Sequence, residues 1–192
     1  MINKRKIHFK QVDKLSETKA KQFIIKEYSK HYLNRISKTQ YNILYQKMGI
    51  LLSDTLRNAF FIAYNENHKI IGAISISFYD NRIDKLKKRY QNKNIAEIGR
   101  CYVNEEYRRC GIGSKLFELA KSFAHSKAYE KLYLHTHYFL PGGYQFWQKM
   151  GFEITLDEKN NLQTVHMERN TRKSTRLIKE IKEDNIVTNC EI

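Results

Sequence analysis

The chain has 192 residues, enough for one compact domain with a single core and too few for two ordinary ones. Thirty-five Lys and Arg stand against 20 Asp and Glu, a formal net charge of +15, beside 41% hydrophobic and 12% aromatic residues, the balance of a soluble globular protein. No apolar run approaches the ~20 residues that cross a bilayer, and the opening MINKRKIHFK has no apolar block behind its basic residues, which predicts neither a membrane span nor a secretory leader and places the protein in the cytoplasm.

Residues 6–12 set Ile7 and Phe9 against Lys6, His8 and Lys10, the alternation of a half-buried edge strand. A helix follows, capped by Ser16 and running to about Leu33, with Ala20, Phe23, Ile24 and Tyr28 on one face. A second helix carries Leu44, Met48, Leu51, Leu52 and Thr55 at the spacing of a buried stripe. Residues 60–64 and 70–78, rich in β-branched and aromatic side chains, flank the polar NENHK and predict an antiparallel hairpin. After a basic loop at residues 82–93 come a strand over residues 95–103, a further loop, and a helix over residues 114–129. That helix gathers Leu116, Leu119, Ala120, Phe123 and Ala124 on one side. A strand at residues 131–136 leads to a short helix that Pro141 opens and Gly151 ends. Residues 152–156 and 162–168 form a last strand pair around DEKNN. The order predicts an α/β domain, a mixed sheet covered by helices on both faces, over residues 1–169. Residues 170–192, with five basic and four acidic residues around Leu177, Ile178 and Ile181, are expected to be a charged appendage, a short helix or a frayed tail.

Cys101, Cys110 and Cys190 are odd in number and form no CxxC pair, which predicts neither a disulfide framework nor a structural zinc site and places the chain in a reduced compartment. Basic residues gather in residues 4–10, in residues 19–38 and in RIDKLKKRYQNK at residues 82–93, which holds six basic residues and one acid. Such segments are most often solvated faces, and composition does not choose among nucleic acid, an acidic membrane surface and an anionic ligand.

The informative segment is NEEYRRCGIGSK, between the strand ending at Val103 and the helix beginning near Ser114. Two glycines one residue apart, where the chain turns into a helix, let successive N–H groups converge on an anion that the helix N-terminus also attracts. A diphosphate fits that environment, and Arg108 and Arg109 add charge beside it. A Walker loop is excluded, because only Ile112 separates Gly111 from Gly113, and a dinucleotide fingerprint would need a glycine where Leu116 stands.

Strand, RRCGIG, amphipathic helix, strand, helix and Gly-Phe together resemble the GNAT acyltransferase superfamily. Its pattern, Gln/Arg-x-x-Gly-x-Gly/Ala, reads here Arg108, Arg109, Cys110, Gly111, Ile112, Gly113, preceded by YVNEEY and followed later by YQFWQKMGF. The resemblance spans residues 7–168 and implies a mostly antiparallel sheet whose central strands splay apart. It implies that acetyl-CoA, or another acyl-CoA, sets its pyrophosphate on the backbone of Arg109, Cys110, Gly111, Ile112, Gly113 and Ser114. The pantetheine arm would lie along Cys101, Tyr102 and Val103, with the Cys101 N–H facing the thioester carbonyl.

Transfer from a thioester to an amine needs a neutral nucleophile, hydrogen bonds to the developing oxyanion and a proton for the thiolate. Glu97, fourteen positions before Gly111, stands where one branch of the family carries its base, and its apolar neighbours Ala96 and Ile98 predict desolvation and a raised pKa. Trp147 replaces the tyrosine that relatives commonly have four residues before the glycine of Gly-Phe, and Leu140 replaces a common asparagine. An indole N–H is not transferable, so Trp147 reads as packing or a cofactor contact and Tyr144, one turn earlier, as the substitute acid. A cysteine nucleophile at Cys101 is disfavoured, since no His or Asp stands beside it in sequence. His135 and His137 point to one side of their strand and lack a third ligand, which favours lining the acceptor cleft or bonding locally over binding a metal. The first two helices and the basic loop usually shape the acceptor site in the family; here they are basic and Tyr-rich, and the acceptor is expected to carry negative groups.

The sequence is therefore read as an N-acyltransferase that moves acetyl from acetyl-CoA to a primary amine of a small molecule or protein by direct attack, acting as a monomer or homodimer. Two rivals stay open: a non-catalytic acyl-CoA-binding regulatory domain of the same fold, and a basic nucleic-acid-binding protein.

Overall fold

The computed structural model describes residues 4–35, 37–171 and 186–191. They build one eight-stranded sheet: β1 (Lys4–Gln11), β2 (Ala59–Asn65), β3 (Ile70–Phe78), β4 (Ile95–Val103), β5 (Lys131–His137), β6 (Glu153–Asp157), β7 (Thr164–Asn170) and β8 (Ile186–Glu191). The spatial order is β6-β7-β5-β4-β3-β2-β1-β8. Every neighbouring pair is antiparallel except β4 and β5. That parallel pair is joined through α4 (Ile112–Ser126), because parallel neighbours need a crossover.

The sheet is buried on both faces, and the strand period sorts side chains between them. On β2, Phe60 and Ile62 meet Ala20, Phe23 and Ile24 of α1 (Glu17–Tyr32) and Met48 and Leu51 of α2 (Lys38–Ser53). The alternate residues Ala59, Phe61 and Ala63 join Ile112, Leu116, Phe117 and Ala120 of α4. Trp147 of α5 (Gly143–Lys149) and Phe152 complete that second layer. The predicted helix stripes and the hairpin form, except that α2 ends at Ser53 and leaves Thr55 exposed in the turn beyond it, and the mixed sheet with helices on two faces is the observed fold class.

Residues 82–93 are not a plain loop. Asp84–Leu86 forms a 3₁₀ turn and Lys87–Tyr90 a short helix, α3, whose Leu86 and Tyr90 bury against Tyr79, Ile95 and Tyr133. Two of the segment's arginines point to carboxylates instead of solvent: Arg82 to Glu97 on β4 and Arg89 to Glu168 on β7.

The stretch expected as an appendage contains β8, which pairs with β1 from Lys4↔Glu191 to Phe9↔Ile186. The other residues named there, Leu177, Ile178 and Ile181, lie outside the described residues. The expectation on cysteines is corrected. Cys110 and Cys190 form a disulfide with Cα atoms 5.3 Å apart, leaving Cys101 as the free thiol. Their separation of 80 residues hid the pair from spacing rules, and the argument for a reduced compartment falls with it. A cross-link closing so long a loop restricts the unfolded chain. Cys190→Ser is expected to lower unfolding free energy by about 2–5 kcal/mol in urea titrations. Thiol counting on the denatured, unreduced protein should find Cys101 alone; three free thiols would contradict the pairing. Among the described residues no helix is long and apolar enough to cross a membrane.

Candidate active site

The pairing of β4 with β5 covers only Ile95↔Lys131, Ala96↔Leu132 and Glu97↔Tyr133. Past Glu97 the strands part: β4 continues along β3 to Val103, and β5 along β7 to His137. This is the splay that the family resemblance implies, and it bares the β4 edge that β5 would otherwise cover. Buried backbone groups without partners are costly, so such an edge is ready to take a ligand's amides. A β-bulge interrupts β4 here. Gly99 faces Ser75 and Tyr102 faces Ala73, so Arg100 and Cys101 together oppose one residue. Arg100 adopts φ 49°, the left-handed region that non-glycine residues enter at a cost of about 1–3 kcal/mol.

At the far end of β4 the chain enters α4 through the glycine-rich loop. Gly111, the N-cap, has φ 74° and no Cβ contact within 4 Å, so the space before it is open. The first intrahelical bond runs from Lys115 N–H to the Gly111 carbonyl at 3.0 Å, which leaves the N–H groups of Ile112, Gly113 and Ser114 ahead of it without helical acceptors. Gly113 packs closely: a Cβ there would lie 3.2 Å from the Phe146 ring, which would have to give, and 3.8 Å from Val103 Cγ2, so the helix start sits against the end of β4. Arg109 is exposed at φ 67°, and Arg108 lies 3.8 Å from Glu105.

The splay opens into a cleft of about 890 Å³, lined by β4 from Glu97 to Tyr102, by His135 and His137 of β5, and by Tyr28 and Tyr32 of α1. Glu97 accepts two hydrogen bonds from the Arg82 guanidinium, at 2.8 and 2.5 Å, and lies 3.5 Å from His135 Nδ1. Burial alone would raise its pKa, as the apolar neighbours predict. The hydrogen bonds from His135 and Arg82 outweigh burial and hold the carboxyl at about 2. The expectation of a raised pKa is thus overturned by a cation fifteen residues away. Burial pushes the Cys101 thiol up to about 12, which disfavours a thiolate nucleophile. Burial also holds His137 neutral, with its pKa lowered to about 4 and its Nδ1 3.2 Å from Thr164 Oγ1.

Trp147, 6% exposed, lines the cleft while packing edge-on against Phe117, Phe146 and Phe152. Tyr144 instead packs edge-on against Tyr138, at 4.9 Å between ring centres, and is not among the cleft-lining residues. The structure therefore brings together Glu97, Cys101, Tyr102 and Trp147, with Val103 and Gly113 meeting beyond them, and leaves Tyr144 aside. Sequence reading missed Arg82 as the partner of Glu97, and missed Arg100. The one signal for Arg100 was a lone cation inside the strand IAEIGRCYV.

An opened mixed sheet with a glycine-bearing helix start at the end of its splayed strand defines an acetyltransferase-type fold. Residues 22–152 match the model of the acetyltransferase (GNAT) family, more than half of the chain, and the protein belongs to that family. A GNAT-family acetyltransferase of Staphylococcus aureus Mu50 superposes with a TM-score of 0.68 at 18% identity, over 86% of this chain and 99% of that one. The PaiA N-acetyltransferase of Thermoplasma acidophilum, solved in complex with coenzyme A, superposes at 0.63 with 18% identity, over 85% and 98%. FeeM, an N-acyl amino acid synthase from uncultured soil microbes, does so at 0.65 with 16% identity, over 88% and 92%. No curated protein matches the chain in sequence.

The buried ionisable groups predict sensitivity to acid. Glu168, between Arg89 and Lys131, is also held at about 2, since their hydrogen bonds outweigh burial. As pH falls from 6.5, the unfolded chain takes up the His137 proton that the folded chain refuses until about 4. From 4.5 down to about 2 it likewise takes up the protons of Glu97 and Glu168. The unfolded state binds more protons throughout, so stability falls with pH across that range. The melting temperature is expected to drop by about 10 °C or more between pH 6.5 and 3; a flat profile would contradict these shifts.

Proposed function

We propose that the protein is an N-acyltransferase that carries an acyl group, acetyl in the first instance, from acyl-CoA to a primary amine by direct attack. The observation that carries this is continuity along β4: its bared edge leads from Glu97 through Cys101 to Val103, whose side chain meets the first turn of α4 at Gly113. An extended thioester-bearing cosubstrate fits that path, with its diphosphate on the N–H groups of residues 112–114 and its thioester beside the Cys101 N–H.

In this reading the amine nitrogen attacks the thioester carbonyl carbon, a C–N bond forms, and the C–S bond breaks to release the coenzyme thiolate. Glu97 alone is too weak a base, since a carboxyl at about 2 holds a proton poorly at neutral pH. The Glu97–His135 pair serves instead: the imidazole takes the ammonium proton and Glu97 holds the ring and its charge. As the C–S bond breaks the nitrogen sheds its second proton, which passes through solvent to the thiolate, whose parent thiol has a pKa near about 8.5. Tyr144 is not required by this geometry.

The test is release of free coenzyme thiol from acetyl-CoA over a panel of amines. Amine-dependent release with formation of the N-acetyl product supports the proposal. Saturable binding of acetyl-CoA with no release for any amine would overturn it in favour of an acyl-CoA-binding domain.

A further inference from the structure

One cation of the cleft stands on the splayed strand itself. Arg100 sits on the β4 bulge, beside Cys101 and withdrawn from bulk solvent. Among the described residues its buried Nε has no hydrogen-bond partner, and its Nη1 meets only the Ser75 hydroxyl, at 3.4 Å. Among the described residues no carboxylate lies within ion-pair distance of it. The nearby carboxylates are engaged elsewhere: Glu97 by the fork of Arg82, and Asp80 by the same Arg82. Burial weakens the hold of Arg100 on its proton, and its φ of 49° adds backbone strain. A half-buried guanidinium whose Nε is buried without a partner is costly unless an anion completes it. It is also the side chain best shaped to grip a carboxylate by two parallel bonds.

Position separates the two substrates. The anionic groups of a coenzyme would lie at α4, beyond Val103, whereas Arg100 precedes Cys101 on the side of Glu97 and His135. Tyr28 and Tyr102 stand close enough to act on the Arg100 charge, and Tyr32, Ile24 and Leu51 also line the cleft. An anion bound at Arg100 would therefore belong to the acceptor, on the side of the cleft where Glu97 and His135 stand.

We infer that the acceptor is a small amine bearing a carboxylate close to its nitrogen, a free α-amino acid, and that Arg100 is the residue that selects it. This rests on the acyltransferase reading above and names the substrate class of that same site. Within the basic segment at residues 82–93, Arg82 and Arg89 are already paired with Glu97 and Glu168.

The experiment compares, with acetyl-CoA and the wild-type protein, L-amino acids against their amides and their decarboxylated amines. The carboxylate forms are expected to have kcat/KM at least about thirtyfold higher. In Arg100→Gln that ratio collapses towards one while acetyl-CoA binding measured by calorimetry persists. Arg100→Lys, which keeps the charge but not the fork, recovers it only in part. Binding of N-acetyl amino acids against their methylamides gives a second readout that needs neither turnover nor the variants, with the same preference expected. Equal turnover of acids and amides, or no preference for the carboxylate in that binding measurement, would overturn the inference while leaving the acyltransferase reading intact. Failure to bind acetyl-CoA at all would instead count against that underlying reading.

Discussion

Gly111→Glu is expected to weaken acetyl-CoA binding by at least about a hundredfold in calorimetry, with the fold retained in circular dichroism. Two effects act together. Gly111 holds φ 74° as the N-cap of α4, and any side chain there pays about 1–3 kcal/mol in backbone strain. The space beyond it is open, so the new carboxylate is not rejected by packing. It stands where the diphosphate would approach and repels it. Gly111→Ala carries the strain without the charge and separates the two, with an expected loss of only about tenfold. Equal affinity in all three proteins would place the coenzyme elsewhere.

Removing the carboxylate of the proton-accepting pair has the second large effect. Glu97→Gln and His135→Gln are each expected to lower kcat by about 10²–10⁴ with acetyl-CoA affinity nearly unchanged. Arg82 keeps Asp80, 2.8 Å away, so the variant is not left with a cation lacking any partner. Tyr144→Phe is the contrasting control. Packed on Tyr138 and away from the cleft lining, it should stay within about threefold of wild type. A loss at Tyr144 as large as at Glu97 would restore that tyrosine as the acid.

What the sequence made legible was local. The α4 stripe, the β2–β3 hairpin and the glycine pair are patterns of period or of backbone permissiveness, and each needs only a few neighbouring residues to be read. The family pattern added the splay of β4 from β5, which no period in either strand announces. What stayed hidden depends on residues far apart in the chain. Ala96 and Ile98 point to a desolvated Glu97, and burial does act that way, but Arg82 from the α3 segment and His135 from β5 reverse the sign. Cys110 and Cys190 meet because β8 pairs with β1, and a six-residue strand carrying Asn189 and Glu191 offers little alternation to detect. Arg100 reads as a surface cation until the bulge turns it into the cleft.

The central claim is that the main-chain amides at the start of α4 hold the diphosphate of coenzyme A. Amide chemical shifts of ¹⁵N-labelled protein, followed while coenzyme A is added, test it most directly. The Ile112, Gly113 and Ser114 resonances are expected to move furthest and to saturate together, with smaller changes at Cys101 and Val103. Unmoved resonances at residues 112–114, under conditions where coenzyme A binds, would contradict it.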